Sequence, residues 1–249
     1  MREQNLPAVL NQLRGKVFDR QALLLAKQKI TPTFKETLIW RYLEGLIDQG
    51  EVVRIGRDRY LVRDPQKQIK FDGPHSSRFN YLQVMLLVKY PALQYTLWES
   101  GQLQPYLPHK LERNIIILDM EKKAMQEIYK ALAVKYPGEV VINPGNRKVE
   151  LYKQKDLIVL KRLVYYSPLA NKGREQTLAI EKLIVDIYMD KMVRSQVSEA
   201  DMAALYKNLF DNYHVNESTL FYYASMRGVR EQLAGFLTGP AQVKLLTED

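Results

Sequence analysis

The stretch from Asp19 to Val62 places the tightest limits on what this chain can fold into. It reads as a helix over DRQALLLAKQK, a break at Ile30-Thr31-Pro32, a second helix over TFKETLIWRYLEGLIDQG, and a β-ribbon over EVVRIGRDRYLV. That order of elements predicts a winged helix-turn-helix. Asp19 is a good N-cap, Ala22, Leu23 and Ala26 give the first helix an apolar face, and Pro32 stops it near Lys29. Thr33 followed by Glu36 has the spacing of a capping box, so the second helix is expected to start there. At about 100° per residue, Ile39, Leu43, Leu46 and Ile47 fall on one side of it, with Phe34, Thr37, Arg41, Glu44 and Asp48 on the other. Gly50 ends the helix, and the β-branched and aromatic runs on either side of Gly56-Arg57-Asp58 predict a hairpin with a basic tip.

Such an arrangement puts the start of the second helix in a DNA major groove. Thr33, Lys35, Thr37 and Arg41 are then the candidates to meet base edges. Arg54, Arg57 and Arg59 would sit on the wing, against phosphates or in a narrow minor groove. The plainer reading is that these are solvated charges on a small domain that docks another protein. Cap, breaker, helix and three-arginine wing agree in order, which favours DNA. Glu44 and Asp48 lie late in the helix and do not oppose it. Trp40 and Phe34 are expected to be wedge and core-edge residues rather than base-stacking groups.

A chain of 249 residues, 46% hydrophobic, is long enough for two domains. Its formal charge of +9 suits an acidic partner, nucleic acid first. The excess is densest at the N-terminal end, where residues 1 to 66 hold 12 Lys/Arg against 8 Asp/Glu. Cysteine is absent, which excludes disulfides and thiolate zinc sites and fits a reducing cytoplasm. The N-terminus lacks the apolar core of a signal peptide, and no run of about 18 apolar residues occurs, so a soluble cytoplasmic protein without membrane association is expected.

Taken in order, Leu6, Val9, Leu10 and Leu13 predict a first short helix, which makes residues 1–64 a three-helix DNA-binding domain. Asp64 to Arg78 has two prolines and no hydrophobic period, so residues 65–78 read as a linker. Residues 79–249 read as a second, larger domain. Phe79 to Tyr90 is apolar and predicts a helix ended by Pro91, while Ala92 to Pro108 reads as a short helix plus loop. Ile115-Ile116-Ile117-Leu118 is a buried strand, Met120 to Lys135 a helix, and Val140 to Asn143 and Leu157 to Tyr165 further strands. From Gly173 onward the pattern is helical, with Ile180, Leu183, Ile184 and Ile187 in one stripe and helices over Glu199 to Phe210, Glu217 to Met226 and Val229 to Leu237. The predicted class is mixed α/β, an N-terminal winged helix followed by an α/β domain that ends in a helical bundle.

No catalytic constellation stands out, and no cofactor or metal is expected. His75, His109 and His214 are scattered, and neither GxxxxGK[ST] nor GxGxxG occurs. Asp119 and Glu121 have the look of half a metal site, but Asp119 is also well placed to cap the following helix. Glu181, Lys182 and Asp186 read as a polar face or a salt-bridged seam. Tyr165-Tyr166 and Tyr222-Tyr223 could line a groove, although aromatic pairs are more often core.

The wing Arg54 to Tyr60, the segment EKLIVDI from Glu181 to Ile187, and YASMRGV from Tyr223 to Val229 together resemble the AbiEi family. These are the antitoxin and transcriptional-regulator components of type IV, abortive-infection toxin–antitoxin systems. The resemblance implies a non-enzymatic repressor of its own operon, bound to double-stranded DNA at its own promoter. It also implies that the C-terminal domain counters a nucleotidyltransferase toxin encoded alongside, without a stable complex being required. The G-S and D-x-D pattern expected of the toxin half is missing here. The competing class is a nucleotide-binding or metal-dependent enzyme housed in the C-terminal domain, with the winged helix as a docking module.

Overall fold

Apolar residues at helical spacing open the chain, and Val9, Leu10 and Leu13 form the buried side of α1 (Leu6–Leu13). The structure, a computed structural model, describes residues 6–144, 156–164, 167–168 and 178–246. Gly145, Asn146, Tyr165, Tyr166 and the run from Gly173 to Thr177 lie outside these residues.

Helix α2 (Arg20–Ile30) starts where its cap predicts, with the Asp19 carboxylate accepting the Ala22 N–H at 2.7 Å. The second start differs from the expectation. Residues 31–35 are not helical; a 3-10 turn over Glu36–Leu38 leads into α3 (Ile39–Asp48), and neither start has a side-chain cap. The Thr33–Glu36 capping box is therefore not formed. The Phe34 N–H bonds the Thr31 carbonyl at 2.9 Å, and the Phe34 ring packs edge-on to Tyr42, 5.7 Å between centroids. This turn takes the residues that a longer helix would have used.

Leu43 and Leu46 of α3 are buried, and Ile39 and Ile47 pack beside them. Gly50, at φ 72°, then ends the helix: its N–H bonds the Ile47 carbonyl and the Glu51 N–H bonds Leu46, each at 2.9 Å. That pair of bonds needs a left-handed residue, which glycine adopts without a Cβ penalty. Strands β1 (Val52–Gly56) and β2 (Arg59–Val62) pair antiparallel, with Val52 opposite Val62 and Arg54 opposite Tyr60. Phe18, between α1 and α2, exchanges both backbone bonds with Tyr60, at 3.0 and 2.8 Å, and so lies along the free edge of the hairpin. Helices and hairpin share one core that includes Val9, Leu23, Leu43 and Tyr60.

The larger part of the chain is built on a second sheet. Its strands are β3 (Tyr95–Glu99), β4 (Ile115–Met120), β5 (Val140–Ile142) and β6 (Leu157–Arg162), in the order β3-β4-β6-β5. Strand β3 runs antiparallel to β4, and β4, β6 and β5 run parallel. Helices α4 (Ser77–Lys89) and α5 (Lys122–Lys135) cover the face that carries Leu97, Ile116, Leu118 and Ile158. The opposite face, with Trp98, Ile117, Leu157 and Val159, packs on a helical bundle. The bundle comprises α6 (Ile180–Met189), α7 (Lys191–Arg194), α8 (Glu199–Asn212), α9 (Glu217–Met226) and α10 (Arg230–Thr238). The class is mixed α/β, as the sequence predicts. Strand β3 was not expected, because all five of its residues are buried and no alternation marks it. Among the described residues no helix is long and apolar enough to cross a membrane.

Residues 65–78 are not a free tether. The Gln68 N–H donates to the Asn212 carbonyl at 2.7 Å, the His214 N–H to the Gln68 carbonyl at 2.9 Å, and the Lys67 ammonium to the Phe210 carbonyl at 2.7 Å. Phe71 is buried against the rings of Tyr106 and Tyr213. Bonds to backbone groups leave no trace in hydrophobic periodicity, which is why the strap reads as a linker in the sequence.

Sheet and bundle are also joined by charge. Lys182 on α6 is 1% exposed and lies between Asp119 of β4 and Asp186 one turn along its own helix. Asp186 also accepts from the Tyr223 hydroxyl of α9 at 3.0 Å and from the guanidinium of Arg227, the residue that ends that helix, at 2.8 Å. Burial alone would lower the Lys182 pKa, but Asp186 and Asp119 outweigh it and raise it. Burial likewise opposes the Asp119 carboxylate, and Lys182 reverses that and holds it below the usual range. Removing one partner from a buried pair strands the other's charge. Lys182→Ala should therefore lose about 3–5 kcal/mol of stability in urea unfolding. Lys182→Met combined with Asp119→Asn, which leaves Asp186 with its Arg227 partner, should recover part of that loss.

Candidate nucleic-acid interface

The residues expected at the reading face are all on the surface. Thr33, Lys35, Thr37 and Arg41 are exposed, while Leu43 and Leu46 face inward. Thr37 lies in the 3-10 turn and Arg41 in the first turn of α3, whereas Thr33 and Lys35 precede the helix, in the turn that replaces the expected cap. Glu44 and Asp48 are exposed further along α3.

The hairpin arginines separate into two kinds. Arg54 is exposed and its Nε donates to the Gly56 carbonyl at 3.0 Å, across the bulge in β1. Arg57 and Arg59 instead adjoin the C-terminal bundle. The Arg57 N–H donates to the Ser218 hydroxyl of α9 at 3.1 Å, its side chain stays exposed, and Arg59 is half-buried. Asp58 stands at φ 52°, a left-handed turn position that Asp tolerates better than most residues. The hairpin is thus held at its tip by α9 and at its base by the strap.

Sequence reasoning missed a group that joins all three parts of this surface. The Arg20 guanidinium pairs with Asp58 at 2.7 Å and lies 5.2 Å from the centroid of the Trp40 ring. Trp40 is 48% exposed, so it is a surface aromatic on the first turn of α3 rather than a wedge. No local pattern relates positions 20, 40 and 58. Phe34 fits the core-edge expectation better, half-buried beneath the Lys27 ammonium at 5.8 Å.

The acids expected near the second sheet do not gather into a site. Asp119 does not cap α5, whose N-cap is Glu121, without a side-chain bond. It bonds Thr96 and Lys182 instead, while Glu121 pairs with Lys123 at 3.1 Å. Lys161 pairs with Asp190, so three bases and three acids face one another near the ends of β4 and β6. Carboxyl ends of parallel strands are where open α/β sheets hold ligands. Here the charges answer one another. Among the described residues no group of three His, Asp or Glu could hold a metal ion.

His75 stacks on Phe79, and His109 faces Asp201 at 3.2 Å. His214 lies where the strap meets the bundle, its Nε2 3.2 Å from both the Asp64 N–H, from which it accepts in one tautomer, and the Asp64 carbonyl, to which it donates in the other.

A protein with three small helices and a docked basic hairpin, fused through a packed strap to an α/β layer and a bundle, is the class that these contacts define. The chain belongs to a family described as a family of unknown function (DUF6577), which matches residues 37–242. That match runs from before α3 through hairpin, strap, sheet and bundle without a break at residues 65–78. No curated protein and no solved structure matches the chain.

Burial lowers the His214 pKa from its ordinary 6.5, with Asp64, Lys67 and Arg63 as nearby charges. A histidine whose folded value lies below its unfolded one stabilises the fold fully above about pH 6.5, and that contribution is lost as pH falls through the folded value. The melting temperature of the wild type should accordingly drop more than that of His214→Gln between about pH 7.5 and about pH 5.5. His75 and His109 are common to both proteins and cancel. Parallel pH profiles would show that His214 does not hold the seam through its neutral form.

Proposed function

We propose that the chain is a DNA-binding transcriptional autorepressor whose N-terminal part is a winged helix-turn-helix, and that it serves as the antitoxin of a type IV, abortive-infection toxin–antitoxin system. The observation that carries the DNA reading is the division of α3 and its approach. Thr33, Lys35, Thr37 and Arg41 stand in solvent while Leu43 and Leu46 fix the helix to its core. The pairing of Phe18 with Tyr60 supports the winged arrangement, since it adds an edge segment between the first two helices to the hairpin that follows the third. In this reading the α3 end enters the major groove of an inverted repeat upstream of the chain's own operon. Arg54, Arg57 and Arg59 neutralise phosphates beside it.

The antitoxin role rests on the resemblance carried by Arg54 to Tyr60, Glu181 to Ile187 and Tyr223 to Val229. It requires a functional link to a nucleotidyltransferase toxin and no stable complex with it. In this reading the protein is not an enzyme and works in the cytoplasm, its basic charge directed at DNA. A nucleotide- or metal-dependent activity in the α/β layer is less well supported, because the charged groups near the ends of β4 and β6 are paired with one another.

Fluorescence anisotropy tests the DNA reading. The duplex from directly upstream of the gene is compared with a scrambled one at two salt concentrations. Arg41→Ala should cost about 1–3 kcal/mol on the upstream duplex and erase its preference. A triple Arg54, Arg57, Arg59→Ala variant should weaken binding to both duplexes alike and flatten the salt dependence. Equal, weak binding to both duplexes by all three proteins would sink the assignment.

A further inference from the structure

An open cavity lies where the hairpin tip meets α9 and α10. Arg57 and Arg59 line it from the hairpin, and Phe221, Tyr222 and Arg230 line it from the bundle. Arg230 is the first residue of α10 and is exposed. Its guanidinium lies 5.9 Å from the Phe221 ring centroid, a cation–π contact that orients it at the cavity wall. The acid in the same wall, Glu217, is 3% exposed, and its two carboxylate oxygens both accept the Leu246 N–H, at 2.8 and 3.0 Å. Arg57 and Arg230 bring two exposed guanidinium groups to this cavity, with Arg59 half-buried beside them, against one largely buried carboxylate, which leaves it positive. Guanidinium is the side-chain group best shaped for phosphate, because its planar fork donates two parallel bonds to the oxygens.

We infer that this cavity receives a backbone phosphate of the DNA flanking the hairpin, which makes Arg230 of the C-terminal bundle a DNA contact. The inference rests on the DNA reading above and extends it beyond the N-terminal part. The Arg57 N–H on Ser218 fixes the hairpin tip against α9, so a strand that reaches the wing arginines also reaches the start of α10. Tyr222, 55% exposed on the same wall, offers an apolar face to the adjoining sugar. Contacts of this kind position the duplex and carry no base sequence. The DNA footprint is then composite, with the bundle holding one side of the strand that the hairpin holds on the other.

The test uses the full chain in the anisotropy assay, with Arg230→Ala, Arg230→Lys, Arg41→Ala and the triple wing variant beside the wild type. Melting temperatures check that the Arg230 variants are folded. Arg230→Ala should weaken binding about five- to tenfold on upstream and scrambled duplexes alike and lower the salt slope by about one, as loss of a single phosphate contact does. Arg230→Lys should recover part of the affinity, since the charge returns without the fork. Wild-type affinity in Arg230→Ala, with the triple wing variant still weakened, would overturn the inference and leave the DNA reading standing. No binding by the wild type to any duplex would remove both. A melting shift with ATP that Arg230→Ala abolishes, alongside unchanged DNA binding, would assign the cavity to a free phosphorylated ligand and also overturn it.

Discussion

A buried ammonium holds the architecture together. Lys182 reaches from α6 to Asp119 on the sheet, and through Asp186 the same network continues to Tyr223 of α9 and to Arg227 at its end. Helix α9 in turn presents Ser218 to the tip of the hairpin. The chain of contacts from the sheet to the hairpin is therefore polar at each of these junctions, and each junction is directional. An apolar interface tolerates small slips, whereas an ion pair without water gains its energy only at one geometry. The hairpin is set by a helix that is itself set by the sheet.

That constraint changes what the N-terminal part can be. Read from the sequence, residues 1–64 form one domain, joined through a linker over residues 65–78 to a second. In the structure Gln68 bonds to Asn212 and His214, Phe71 is buried between Tyr106 and Tyr213, and β1 lies against α9. The family match, over residues 37–242, includes all of these contacts. On the proposed function, a duplex would meet a fixed pairing of helix and wing. Less orientational freedom would then be lost on binding than with a flexibly tethered reader.

What the sequence showed and what it hid follow from the range of each interaction. Local signals were legible. Asp19 caps its helix, Gly50 turns out of α3, and the Ile115 to Leu118 run forms a buried strand. The outward set Thr37 and Arg41 against the inward set Leu43 and Leu46 was also correctly phased, because helical period alone decides it. Thr33 and Glu36 offered a cap of the right spacing, yet the Phe34 contact with Tyr42 belongs to a different local structure. Strand β3 escaped because burial on both faces removes alternation. Asp119 was assigned to the wrong partner because its true one lies on α6, far along the chain. Nothing in the sequence joined Arg20 to Trp40 and Asp58, or Arg57 to Ser218.

The same distinction bears on the two functional readings. An acid near a strand end is a candidate ligand when its charge is unanswered, since an enzyme needs that charge for substrate or metal. Asp119, Asp186 and Asp190 each have a cation in contact, and Asp190 also caps α7 through the N–H groups of Met192 and Val193. Opening that cluster to a ligand would mean breaking buried ion pairs that brace the sheet against the bundle. Thr33, Lys35, Thr37 and Arg41 are under no such obligation: they project from a helix and turn whose position Leu43 and Leu46 already secure. Groups that the fold does not need for its own cohesion are the ones available to a partner, and on the proposed function these four are what a duplex meets. That contrast with the paired acids supports the proposed DNA reading over the enzyme alternative.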